Sequence, residues 1–386
     1  MWLSERSGLD RAPNRLTEAL DALRRAGNPV VDLTVSNPTT AGIEYESEAL
    51  GRALAHPRSL RYEPHSLGAP GAREAICASW AELGVDVTAE RVLITATTSE
   101  AYGYLFKLLC DPGDQVLIPS PSYPLFEHLA RFEAVQPVPY PLRFDGAWHI
   151  DFPELERRLG PRTRAIALVN PNNPTGSFVK VDELERLAHL GLPLISDEVF
   201  ARYPLAPPRL AARSALGTPG ALVFALSGLS KLAALPQLKL AWITASGPPE
   251  LVTEAMIRLE LIADTYLSPS APVALALSEL LELSRSSRHA VQRRIQNNAE
   301  TLGRLLARSP ISLRPIEGGW YAVLRLPNTR DEETWVLGLL REAGVLVQPG
   351  YFFDFEDEPY AVLSLLTPEH DLALGVGRLV SYVSDG

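Results

Sequence analysis

Six short apolar runs recur through the middle of the chain, at 92–96, 115–119, 165–169, 192–195, 222–226 and 240–244, each bounded by turn residues. Runs of this length without polar alternation predict strands buried on both faces. Helical patterns lie between them. One at 99–109 is closed by Asp-Pro-Gly-Asp at 111–114, and one at 182–190 opens with Asp182 and Glu185 at capping-box spacing. Apolar strands alternating with helices predict a largely parallel sheet covered on both sides, with ligands beyond the carboxyl ends of its strands. After residue 248 the pattern changes. Residues 249–263 and 271–306 read as helices, the second unusually long. A mixed segment follows: strand-like 320–326, helix 331–343, and strand-like 345–348 and 362–366. The expected organisation is a large α/β domain at 46–285 and a smaller α/β domain that is discontinuous, at 1–45 and 286–386.

The 386 residues are 46% hydrophobic and 21% charged, an ordinary globular composition with material for a large core. The net charge of −10 argues against nucleic acid or an anionic membrane as partner. Cys77 and Cys110 lie in apolar segments without metal spacing. The first residues show no apolar signal-peptide core, and no run of 18 apolar residues occurs, so a cytoplasmic, soluble protein is expected. Glycine-rich nucleotide loops, a Gly-x-Ser-x-Gly elbow and His-Glu-x-x-His are absent, the seven histidines are scattered, and no metal is expected. Only four of the 36 basic residues are lysines: Lys107, Lys180, Lys231 and Lys239. Chemistry that needs an amine therefore has four candidates. Lys107 falls inside a helical pattern and Lys180 just before one, and both read as solvated.

Three segments stand out, each just past an apolar run: Asn170-Pro171-Asn172-Asn173-Pro174-Thr175-Gly176, Ser196-Asp197-Glu198-Val199-Phe200 and Ser227-Gly228-Leu229-Ser230-Lys231. Alternation along a strand sends Asp197 and Glu198 to opposite faces, so one can serve a site while the other is held elsewhere. A lysine after a small-residue turn at a strand end is poorly explained by solubility in a chain this poor in lysine.

In this order and spacing these motifs resemble the class I/II aminotransferases, pyridoxal-phosphate (PLP) enzymes of fold type I related to aspartate aminotransferase. The resemblance runs from Ser36-Asn37-Pro38 to Leu363-Ser364. It implies a mostly parallel seven-stranded sheet in the large domain, a homodimer with shared active sites, and transfer of an amino group from a small-molecule amino donor to a keto acid. Lys231 matches the lysine that forms the Schiff base with PLP, and Asp197 the carboxylate that holds the pyridine nitrogen protonated. Asn173 matches the donor to the ring 3-oxygen, and Tyr123 the aromatic that stacks on the ring. Thr97-Thr98-Ser99 resembles the phosphate loop, with Ser230 adding a hydroxyl and Lys239 standing where most relatives have arginine. Tyr62 resembles a tyrosine given to the partner subunit's phosphate site.

The sequence departs from the pattern in several places. Phe200 replaces a tyrosine that donates to the 3-oxygen, and Gly228 and Ser36 replace a serine and a glycine. The largest departure is Val362, at the position of the arginine that binds the substrate α-carboxylate; a carboxylate against valine lacks its charge partner. Either another arginine reaches in, Arg325 being the candidate, or the substrate is atypical. Asp354-Phe355-Glu356-Asp357-Glu358 reads as a solvated loop, or as a rim attracting cationic substrates. Two rivals follow. A PLP lyase, such as a carbon–sulfur β-lyase, uses the same cofactor residues. A non-enzymatic regulator on this fold carries an appended DNA-binding domain, for which the first 45 residues leave no room, and the acidic charge opposes it.

Overall fold

The computed structural model describes residues 2–8, 12–356 and 359–385. All six expected runs form strands of one central sheet. It has eight strands, in the order Val92–Thr95, Ala241–Ser246, Val223–Gly228, Leu194–Asp197, Thr163–Val169, Gln115–Ser120, Gln136–Phe144 and Trp148–Ile150. The interior strands pair in parallel, while Ala241–Ser246 and the short Trp148–Ile150 run antiparallel to their neighbours. The two strands beyond the six runs are Gln136–Phe144 and its hairpin partner. The first is broken by Pro137, Pro139 and Pro141 and lies toward the sheet's edge, where missing amide donors are tolerated.

Helices cover both faces. One apolar cluster under the sheet includes Ile76, Trp80, Leu168 and Leu277. The other includes Leu105, Phe106, Phe224 and Leu259. A third, separate cluster joins Leu16, Leu33 and Ile43 to Ile295, Trp320, Trp335 and Leu363.

That third cluster surrounds a four-stranded antiparallel sheet in the order Ser312–Leu313, Tyr321–Arg325, Tyr360–Ser364, Gln348–Pro349. The expected strand at 345–348 divides. Val345–Leu346 pairs in parallel with Val31–Asp32, and Gln348–Pro349 turns to pair with Tyr360–Ser364.

The expected long helix is two helices, Ala271–Leu283 and Arg285–Leu306, meeting at Ser284. The buried Ser284 hydroxyl donates back to the Leu281 carbonyl at 3.0 Å, a side-chain bond that competes with the helical ladder and bends it. The helix expected at 182–190 is Val181–His189, and its capping carboxylate is Glu183, which accepts from the Lys180 amide at 2.8 Å. Asp182 and Glu185 are not the box, because Glu183 is the acid that turns inward, where it also accepts from Ile150 N–H at 2.7 Å.

Candidate active site

Five of the residues singled out in the sequence follow five strands that point the same way. Thr97 follows Val92–Thr95, Tyr123 follows Gln115–Ser120 and Asn173 follows Thr163–Val169. Asp197 ends Leu194–Asp197, and Lys231 follows Val223–Gly228. Sheet topology alone therefore gathers them along one edge.

Asp197 is half-buried. Its Oδ1 accepts from Val199 N–H at 3.2 Å, and its Oδ2 accepts from the Tyr102 hydroxyl at 3.3 Å. Burial pushes its carboxyl up to about 6 against these bonds and the Lys231 charge. Glu198 turns the other way, as alternation requires. Its Oε1 accepts from Ser196 Oγ and Ala215 N–H, both at 2.8 Å.

Lys231 lies in the one-turn helix Leu229–Leu232. The helix is fixed from outside by the Tyr203 hydroxyl, which donates to the Lys231 carbonyl at 2.7 Å. Burial lowers the Lys231 ammonium below its ordinary value, opposed by the Asp197 charge. Nζ lies 5.1 Å from the Trp320 ring centroid and 5.9 Å from that of Phe200. Phe200, Tyr203 and Tyr321 close this aromatic wall, with Phe200 and Trp320 edge to face at 5.4 Å. The Tyr123 ring is 44% exposed at the mouth, and its hydroxyl is raised by burial and by the Asp197 charge.

The asparagine loop shows which of its amides are free for chemistry. Asn170 is consumed by the fold, donating to Ala212 O at 2.9 Å and accepting from Val179 N–H at 3.0 Å. Asn172 donates to Pro121 O at 3.3 Å and accepts from the Thr175 hydroxyl at 2.9 Å. Asn173 is buried, yet its Oδ1 has no partner among the described residues.

Thr97 caps the helix Thr98–Leu109, accepting from Glu100 N–H at 3.0 Å. The Thr98 and Ser99 amides then sit in a first turn without intrahelical acceptors, at the positive end of the helix dipole. A half-buried amine, a half-buried carboxylate raised toward its neutral form, a carboxamide whose Nδ2 makes no hydrogen bond among the described residues and a helix start form a set of groups that fits PLP.

Other expected residues stand apart. Lys239 is exposed, in the left-handed region at φ 49°, and makes no hydrogen bond or ion pair among the described residues. Tyr62 is 82% exposed on its own chain. Ser230 is half-buried, and no partner is defined for its hydroxyl. Val362 is fully buried, paired across the small sheet with Val323 and clustered with Phe353 and Tyr360. Tyr321, one step further along this face, approaches Phe200 at 6.2 Å. Arg325 is at the opposite end of the Tyr321–Arg325 strand, about 13 Å from Tyr321 by strand rise.

Lys180 is not solvated. It pairs with buried Glu317 at 3.2 Å, and Lys107 pairs with Glu133. Asp354 to Glu356 line a separate pocket with Ser120, Arg314 and Tyr360, whereas Asp357 and Glu358 lie outside the described residues.

Sequence reasoning missed Tyr102, Tyr203, Trp320 and Tyr321. Tyr102 sits four residues before Phe106 and reads as an ordinary helix core position. Trp320 did carry a signal, since Gly318-Gly319 before it marks a close backbone approach.

The sequence profile described as "Aminotransferase class I and II" matches residues 28–363. The chain is 30% identical over 373 residues to the aspartate/prephenate aminotransferase of Thermus thermophilus, covering 92% of this chain and 91% of that one. It is 27% identical over 385 residues to an alanine aminotransferase of Mycobacterium tuberculosis, covering 94% and 87%. The solved alanine aminotransferase from Pyrococcus furiosus superposes with a TM-score of 0.88 at 25% identity, covering 100% of both chains. No described helix is long and apolar enough to cross a membrane.

Proposed function

Since the chain belongs to the class I and II aminotransferases, whose members are PLP-dependent, we propose that it moves an amino group from a small-molecule amino donor to a keto acid, with Lys231 and Asp197 as its catalytic residues. The observation that carries this reading is the burial of one lysine amine and one carboxylate together at the strand ends, each displaced from its ordinary pKa. When bound, PLP supplies a carbonyl carbon for amines and a ring that accepts electrons from the substrate Cα. Lys231 Nζ, shifted by burial toward the neutral amine that can accept a proton, would take the proton from that Cα. Asp197 holds a proton on the ring nitrogen, and in doing so gains the cation its burial demands. Asn173 would donate to the 3-oxygen, and Tyr123 would stack on the ring. Thr97, Thr98 and Ser230 would hold the phosphate, and Lys239 would add a cation to it. Phe200 offers only a ring edge, so the 3-oxygen loses the donor a tyrosine would give.

The substrate is the finer part of the proposal. Val362, Val323 and Phe353 form an apolar wall where an α-carboxylate would need a cation. An amine without a free α-carboxylate, or a larger amino acid anchored elsewhere, suits this wall better. A chain divided into 46–285 and the discontinuous 1–45 with 286–386 accords with the separate apolar clusters. The exposure of Tyr62 accords with a homodimer in which each subunit completes the other's phosphate site, and a cytoplasmic location is proposed with it. The aminotransferase names of the relatives do not favour the lyase.

Borohydride reduction of the yellow protein followed by peptide mapping is the test. The pyridoxyl group is expected on Lys231, and finding it on Lys239 overturns the assignment. A donor and acceptor screen then expects amino-group exchange. Release of ammonia with a keto acid from a single substrate would instead establish lyase chemistry.

A further inference from the structure

The turn before Trp320 carries a buried acid that the reaction does not use. The Glu317 Oε2 accepts from Phe178 N–H at 2.7 Å and from Lys180 Nζ at 3.2 Å, and its Oε1 from Lys180 Nζ at 3.3 Å. The Lys180 ammonium is completed by the Phe178 carbonyl at 2.6 Å and the Trp148 carbonyl at 3.1 Å. Through its backbone, the Glu317 carbonyl accepts from Leu205 N–H at 2.8 Å and Ala206 N–H at 3.1 Å. Gly319 N–H donates to Tyr203 O at 2.9 Å.

The contact is backbone-close on both sides. A Cβ on Gly176, which has φ +71°, would lie 2.6 Å from the Gly318 carbonyl oxygen. A Cβ on Gly318 would lie 2.8 Å from the Phe178 ring. Three segments therefore meet at this one residue: the loop that holds Asn173 at its carboxylate, the stretch that holds Phe200 and Tyr203 at its backbone carbonyl, and the turn that delivers Trp320 beside Lys231.

We propose that Glu317 is a positioning residue for amino-group transfer, clasping the Asn173 loop to the Trp320 turn so that the carboxamide and the ring beside Lys231 keep one relative placement. This rests on the reading of Asn173 and Lys231 given above. Asn173 is five residues from Phe178 and Trp320 is three from Glu317, so a slip at the clasp is delivered directly to both. A group held loosely by about 1 Å at a reacting centre costs roughly 100-fold in rate. An acid this deeply buried stays only where its partners hold it; here those partners are on the loop it positions.

The experiment compares the wild type, Glu317→Gln, Glu317→Asp and Val291→Ala. Gln keeps the shape but leaves the Lys180 charge unpaired, and Asp keeps the charge but falls one methylene short. Val291 is a fully buried core residue in the Arg285–Leu306 helix and serves as a stability control. Three quantities are read: kcat and KM, the pH at which the visible band of the bound cofactor changes, and hydrogen exchange of residues 172–177 and 318–320 in cofactor-free protein. Both Glu317 variants are expected to lose at least tenfold in kcat with KM changed less than threefold, to shift the band's pH, and to exchange at least tenfold faster in both segments. Val291→Ala is expected to lower Tm while leaving all three near wild type. The proposal is overturned if a folded Glu317 variant keeps wild-type kcat, band and exchange. It is equally overturned if Val291→Ala, at similar loss of Tm, reproduces the change. A wild type that neither binds PLP nor transaminates would sink the functional reading instead, while the exchange arm still decides whether the clasp exists.

Discussion

The two walls of the cleft are both buried, and they are built on opposite principles. The strand-end wall is chemical: Lys231, Asp197, Tyr102 and Asn173 place an amine, a carboxylate, a hydroxyl and an orphaned amide within one pocket edge. The wall from the small sheet is apolar, with Val362 and Val323 paired in register and Phe353 and Tyr360 packed around them. On the first wall Lys231, Asp197 and Asn173 stand where the sequence resemblance expects partners for the cofactor, and on the second Val362 stands where it expects an arginine. The difference separates two demands. A cofactor needs the same few partners whatever amine is processed, whereas the substrate wall is tuned to what arrives. Cofactor chemistry and substrate choice are thus held by different sheets, and can be broken independently.

The largest effect is expected on the chemical wall. Asp197→Ala removes the anion that keeps the ring nitrogen protonated, and transamination should fall by about 1,000-fold, a loss typical of removing a preorganised electrostatic partner. The cofactor should remain bound through Lys231. Steady-state rates beside the visible spectrum check both, and near-normal turnover refutes the role.

The apolar wall is sharpened next. Truncating one partner of a buried carboxylate–guanidinium pair costs about 2–5 kcal/mol, so alanine, aspartate and glutamate should bind the wild type about 30-fold to several thousand-fold more weakly than a paired site would. Val362→Arg should therefore lower the KM for such α-amino acids by at least about tenfold. If the wild type already turns them over efficiently, and does so equally well in Arg325→Ala, the atypical-substrate reading fails.

A third outcome concerns stability. The Asp197 carboxyl is raised from 3.8 to about 6 in the cofactor-free fold. Well below pH 3.8 both folded and unfolded chains hold the proton and no penalty exists. As pH rises toward 6 the unfolded chain ionises first, and above 6 the folded chain carries the full cost, up to about 3 kcal/mol. Asp197→Asn should thus stabilise the cofactor-free protein at pH 8 and leave it unchanged well below pH 3.8, as denaturant titrations in the two pH ranges would register. Equal effects at both would show that the carboxylate is not strained by burial.

The smallest expected effect bears on the subunit arrangement. If Tyr62 serves the neighbouring site, mixing Tyr62→Ala with Lys231→Ala subunits should restore severalfold activity over either alone, because each mixed dimer carries one site with neither lesion. An active monomer seen in sedimentation at assay concentration would break the idea.

The sequence by itself determined six of the central sheet's eight strands, since short apolar runs bounded by turn residues read as strands covered on both faces. It also located Lys231, Asp197, Asn173 and Thr97, because each follows a run and topology carries all the strand ends to one edge. Even the opposed directions of Asp197 and Glu198 were legible, from strand alternation alone. Other features were settled only in three dimensions. The break at Ser284 depends on where a serine hydroxyl points, and the choice of Glu183 over Glu185 as the cap depends on which acid turns toward Ile150. Lys180 reads as a surface lysine until Glu317, 137 residues away, is brought against it. Trp320 reaches Lys231, and Tyr321 reaches Phe200, only because the small sheet packs over the strand ends. A local pattern encodes which face of its own element a residue occupies; it carries no information about the distant residue that will meet that face, and here those meetings position the reacting groups and shape the substrate wall.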